Sequence, residues 1–87
     1  MSQHRLHTER VRLRRLRLCL SQQRLGQMIG HDQGYVSRLE RGEITDITVR
    51  TLARLADALQ VTTDYLLGRQ GEEPAIDRSS GLGAVAQ

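Results

Sequence analysis

From Ser21 to Gly42 the chain reads SQQRLGQMIGHDQGYVSRLERG, and four punctuating residues leave it few ways to fold. Ser21 stands as the N-cap of a helix of about Gln22 to Ile29, and Gly30 ends that helix as a C′ glycine does. Asp32 caps a second helix, Gln33 to Arg41, and Gly42 ends it. Two caps and two stops in 22 residues exclude a long loop between the helices. Leu25 and Ile29, spaced i, i+4, face inward. Gly26 leaves space for another helix to approach closely, at a propensity cost near ~1 kcal/mol.

The second helix of this pair is two-sided. At about 100° per residue, Gln33, Gly34, Ser37, Arg38 and Arg41 fall within an arc of roughly 140°. Tyr35, Val36 and Leu39 fall on the other side. A helix that packs one side and offers an amide, a hydroxyl and guanidinium groups on the other suits the major groove of DNA.

The flanking sequence supplies three more helices. Residues 1–7 read as a flexible terminus. From Thr8 to Leu20, Thr8 is placed to cap and Glu9 favours the first turn. The body alternates like a strand in part, but its Leu and Arg content and its length favour helix. Glu43 to Ile47 form a connector. Thr48 then caps Val49 to Leu59, where Val49, Leu52, Ala53, Leu55, Ala56 and Leu59 make a broad apolar stripe. Gln60 and Val61 make a bend. Thr62 or Thr63 starts a short helix through Leu67, and Gly68 stops it. Gly68 to Gln87 hold four of the eight glycines and the only proline, a composition that cannot build a core. The expected organisation is therefore a flexible N-terminus at 1–7, an all-α domain at 8–68 and a flexible tail at 69–87.

Eighty-seven residues form one domain, burying about 60–65% of the surface exposed on unfolding. Charge is uneven: residues 1–24 carry seven arginines against Glu9 alone, and the remainder six against nine acids. All basic side chains are arginine, and a basic end suits a polyanion. Within Arg10–Arg17, phosphate-facing and merely solvated roles are equally open for Arg12, Arg14 and Arg17. No apolar run nears the ~20 residues of a membrane span and no secretory h-region opens the chain, so a cytoplasmic protein is expected. The single cysteine, Cys19, cannot form an internal disulfide and reads as a small buried hydrophobe. His4, His7, His31 and Cys19 fit no compact zinc spacing. No Ser-His-Asp set, catalytic carboxylate pair or Gly-rich phosphate loop is present, so neither an enzyme nor a cofactor is expected.

Five short helices with a capped, Gly-punctuated pair at positions two and three resemble the phage repressor/Cro, or XRE-like, helix-turn-helix family. The resemblance covers about Arg10 to Gly68. It rests on Leu20-Ser21-Gln22, Gly30, the run Tyr35-Val36-Ser37-Arg38-Leu39-Glu40-Arg41-Gly42, then Leu52, Leu55-Ala56, Leu59-Gln60-Val61 and Asp64-Tyr65-Leu66-Leu67. It implies a compact lambda-repressor-like fold whose helices 2 and 3 form the helix-turn-helix.

By position, the family's ion pair falls on Arg15 and Glu40, and base-edge contacts on Gln33, Gly34, Ser37 and Arg38. Gln33 suits adenine and Arg38 guanine, each bidentate pair contributing about 1–3 kcal/mol of discrimination. Gly34 lets the backbone approach a thymine methyl. Phosphate contacts are expected from Gln22, at a helix N-terminus, and from Arg15, Tyr35, Arg41 and Arg50. Tyr35 packs on the core flank, with its hydroxyl either at a phosphate or not. Arg54 reads as solvated. The chain departs from the family at His31, where an aliphatic residue is usual, at Ile47 in place of proline, and at Cys19 in place of glycine.

The resemblance implies a sequence-specific regulator of transcription, a repressor, reading double-stranded DNA as a homodimer on half-sites about one turn apart. The alternatives are an antitoxin, whose Gly71–Gln87 tail folds on a small toxin protein, and an adaptor that uses the same fold to bind protein.

Overall fold

The computed structural model describes residues 6–44 and 46–76. They form α1 (Thr8–Arg17), α2 (Gln22–Ile29), α3 (Gln33–Glu40), α4 (Val49–Leu59) and α5 (Thr63–Leu66), with no strand among the described residues. One apolar core joins all five: Val11, Leu25, Ile29, Val36, Leu39, Leu55, Leu59 and Leu66 are fully buried.

The capping chemistry explains the helix boundaries. The Ser21 hydroxyl accepts from the Arg24 N–H at 2.9 Å and the Asp32 carboxylate from the Tyr35 N–H at 2.8 Å. Thr48 accepts from the Thr51 N–H at 3.1 Å and Thr62 from the Tyr65 N–H at 3.0 Å, which makes Thr62 the cap of α5. Gly30 takes the left-handed conformation at φ +82°. A Cβ on Gly26 would lie 2.9 Å from the backbone of His31 and Asp32. The space that Gly26 leaves is thus taken by the turn folding back on α2, not by a separate helix.

Several expectations need correction. The first helix stops at Arg17, short of Leu20, because Leu18 leaves helical geometry and Cys19 is left-handed at φ +59°. Thr8 is the first helical residue, and the N-cap, His7, makes no side-chain bond. Cys19 is exposed: a left-handed residue in a tight link points its side chain outward. On α4, Val49 is 82% exposed and Ala53 is exposed. The buried ridge runs instead through Thr51, Leu55, Ala56 and Leu59. Thr51 tolerates burial because its hydroxyl bonds Thr48 at 3.1 Å and lies 3.4 Å from His31 Nε2.

Arg14 is not solvated. It is 1% exposed and bridges the end of α4 to the segment after α5. Its Nε donates to the Leu59 carbonyl at 2.8 Å and its Nη2 to that of Gln60 at 3.1 Å. Its Nη1 donates to Glu73 at 2.8 Å and to the Pro74 carbonyl at 2.7 Å. Arg10 donates to the carbonyls of Tyr65 and Gln70 at 2.7 and 2.6 Å, with its guanidinium 4.3 Å above the Tyr65 ring. Residues 70–75, read from sequence as the start of the tail, thus lie strapped against α1. Leu6, read as part of the terminus, is 3% exposed in the core, and the His7 N–H donates to the Leu66 carbonyl at 2.8 Å. Residues 1–5 and 77–87, the rest of the expected flexible ends, lie outside the described residues.

Candidate nucleic-acid interface

The hydrophobic side of α3 is anchored by Val36 and Leu39, both at 0% exposure, against Leu25 and Ile29 of α2. That anchoring turns Gln33, Gly34, Arg38 and Arg41 outward, with Ser37 half-buried beside them. Tyr35 is half-buried and packs on the core, on the side its helical angle predicts. Its ring stacks on His31 at 3.8 Å between centroids and 10° between planes. The flat imidazole thus covers Tyr35 where the family places an aliphatic residue. Burial raises the Tyr35 hydroxyl above its ordinary pKa of 10.0.

Behind this face lies a polar relay. Arg15 Nε and Nη2 donate to the two carboxylate oxygens of Glu40 at 2.6 and 3.0 Å, and Arg15 Nη1 donates to the Leu20 carbonyl at 2.8 Å. The Gln22 amide NH₂ donates to Glu40 at 3.2 Å, and the Gln33 amide NH₂ donates to Gln22 Oε1 at 3.4 Å. Each amide is therefore oriented by the one behind it. The Arg15–Glu40 pair is the one the family resemblance implies; the links through Gln22 have no signal in the sequence, since no helical spacing relates Gln22 on α2 to partners on α3.

Arg41 lies along the same face. It donates to the Ser37 hydroxyl and binds Glu43 through Nε at 2.9 Å and Nη2 at 3.3 Å. Glu43 was not singled out from the sequence. Arg50, in the first turn of α4, is exposed. Arg54 Nη1 lies 3.0 Å from where a Cβ on Gly30 would stand, over the C-terminal end of α2, where a cation is favoured.

The arginine crowding at residues 1–24 is partly structural. Arg10, Arg14 and Arg15 are spent on carbonyls and carboxylates within the fold, while Arg12, Arg17 and Arg24 remain exposed. Among the described residues, no group of three His, Cys, Asp or Glu could hold a metal ion, and no helix is long and apolar enough to cross a membrane.

Comparison with known proteins places this geometry. The helix-turn-helix family matches residues 11–66. The repressor protein C2 of Salmonella phage P22 is 42% identical over 59 residues, 68% of this chain and 27% of that protein. The chain thus spans about a quarter of the length of that curated relative. The crystal structure of the P22 c2 repressor with a synthetic operator is similar at a TM-score of 0.69 and 39% identity, covering 79% of this chain and 100% of that one. SinR, a master regulator for biofilm formation solved in complex with DNA, is similar at a TM-score of 0.64 and 25% identity, covering 69% and 95%. These relatives support the repressor expectation and not the antitoxin one. The chain belongs to the XRE-type helix-turn-helix family, a family of DNA-binding transcription regulators.

Proposed function

We propose that this chain binds double-stranded DNA sequence-specifically and represses transcription, acting in the cytoplasm as a homodimer. The observation that carries the reading is the outward stripe of α3: Gln33, Gly34 and Arg38, exposed, and Ser37, half-buried, stand on one face of a helix whose opposite face is anchored by the buried Val36 and Leu39. The similarity to a repressor bound to its operator supports it.

In this reading Arg38 addresses guanine and Gln33 adenine through the major groove. Gly34 admits the backbone close to a thymine methyl, and Ser37 bonds whichever base edge it meets. Gln22, at the N-terminus of α2, takes a phosphate with help from the helix dipole. Arg41 and Arg50 take phosphates on either side, and Tyr35 offers its hydroxyl. Arg15 is the exception among the phosphate candidates: its guanidinium is committed to Glu40 and Leu20, and its role is to hold the relay. A single domain reaches few bases, so two copies on adjacent half-sites supply the specificity.

Selection of bound sites from random duplex DNA tests the reading. The expected product is a two-fold symmetric sequence with half-sites about one helical turn apart. Recovery of no preferred sequence would sink specific recognition, and a single unrepeated half-site would sink the dimer.

A further inference from the structure

The contact between Glu43 and Arg41 lies on the face proposed for DNA. We propose that Glu43 is a latch: its carboxylate holds the Arg41 guanidinium across Ser37 in the free protein, and must release it before Arg41 can take a backbone phosphate. This rests on the DNA-binding function proposed above.

The position of Glu43 is set by the backbone. Gly42 is left-handed at φ +80°, the Gly42 N–H donates to the Leu39 carbonyl at 3.1 Å, and the Glu43 N–H donates to the Arg38 carbonyl at 2.9 Å. These bonds fold Glu43 back onto the C-terminal end of α3. An acidic side chain there opposes the helix dipole, so its hold comes from the guanidinium groups beside it. The hydrogen bond from Arg41 chiefly, with the charges of Arg41 and Arg38, keeps the Glu43 carboxyl below its ordinary pKa.

The carboxylate imitates the ligand it competes with. A carboxylate and a phosphate both offer a pair of oxygens to the planar fork of arginine. Glu43 already occupies Nε and Nη2, while Nη1 rests on the Ser37 hydroxyl. Both side chains are more than half exposed, at 56% and 52%, so water screens the pair and exchange is easy. When Arg41 swings to a phosphate, the same motion frees Ser37 for a base edge. Without that exchange, the carboxylate cancels one positive charge of the face, and loosely docked duplexes bind less well.

The salt dependence of binding to a short mixed-sequence duplex, measured for the whole chain, tests the latch. Glu43→Gln should tighten binding about two- to five-fold at low salt. It should also steepen the slope of log K against log salt by about 0.9, the contribution of one more phosphate contact. In an Arg41→Ala background the same substitution only relieves the carboxylate's own repulsion and should tighten binding clearly less. No tightening by Glu43→Gln overturns the proposal, and so does equal tightening in both backgrounds, which marks general repulsion instead of a latch. Circular dichroism of both variants should match the parent, since both side chains are exposed. Failure of the parent chain to bind any duplex at low salt overturns the DNA-binding reading itself, and is seen before any variant is compared.

Discussion

Arg15 and Glu40 are joined by two parallel hydrogen bonds of 2.6 and 3.0 Å, with side chains only 10% and 2% exposed. The pair ties α1 to the last turn of α3 and leaves Glu40 Oε1 free to accept a further bond from Gln22 at 3.2 Å. The amide of Gln22 in turn receives Gln33. A contact built into the interior thus reaches a side chain on the exposed face in two steps.

Because the pair is desolvated, losing one partner strands the other. Arg15→Ala should cost about 3–5 kcal/mol of stability, and the double replacement Arg15→Met with Glu40→Leu much less. Urea denaturation of the three proteins measures this, and equal losses in single and double variants would contradict it.

Arg38→Ala should relax base preference at one position of each half-site, by about 1–3 kcal/mol. Gln22→Ala should weaken all duplexes and, because Gln22 orients Gln33, soften the preference at the adenine while leaving the guanine preference intact. Binding of the selected site and its single-base variants distinguishes the two; an unchanged preference for Arg38→Ala would mean that the register of the reading face is wrong.

Arg14 requires the segment after α5. Removing residues 69–87 takes away Glu73 and the Pro74 carbonyl and opens to water a guanidinium that is 1% exposed in the full chain. A chain ending at Gly68 should be less stable than one ending at Ile76, which keeps these partners, by about 1.5–3 kcal/mol, the range for hydrogen bonds to a charged group. Thermal melts of both truncations test whether the folded unit extends beyond residue 68.

Cys19 holds a left-handed backbone at φ +59°, which costs a residue with a Cβ about 1–3 kcal/mol. Cys19→Gly removes that strain and adds back about 0.5–1 kcal/mol of chain entropy. The net expectation is a gain of up to about 2.5 kcal/mol, visible as a rise in Tm. A fall in Tm would show that the thiol makes a contact worth more than the strain.

Tyr35 is held neutral by burial. Its folded pKa lies above the ordinary value of 10.0, so its contribution to stability is complete below that value and is lost as pH rises through the folded pKa. Ultraviolet titration should show a phenol ionising late, absent in Tyr35→Phe. Ionisation at the ordinary value would contradict the burial.

Local chemistry made α2, α3 and their turn readable from the chain. Ser21, Asp32 and Thr48 satisfy backbone N–H groups three residues away, and Gly30 and Gly42 adopt conformations open to few other residues. Such signals need no tertiary partner, and the helix periodicity that separates Val36 and Leu39 from Gln33 and Arg38 needs none either. The failures came where a side chain's partner is distant in sequence. Neither the phosphate-facing nor the solvated role open to Arg14 in the sequence is the one it takes, because Leu59, Gln60 and Glu73 reach it only in the folded chain. Val49 looked buried because periodicity identifies an apolar face but not how far along the helix a neighbour extends.

The sequence by itself determined where the helices begin and end around the turn and which side of α3 faces out, since capping and periodicity act within a few residues. Only the tertiary structure decided which arginines are spent inside the fold and which stay on its surface. It alone brought Gln22 between Glu40 and Gln33. A charge is stable in the interior only beside partners, and those partners are brought together by packing, not by spacing along the chain.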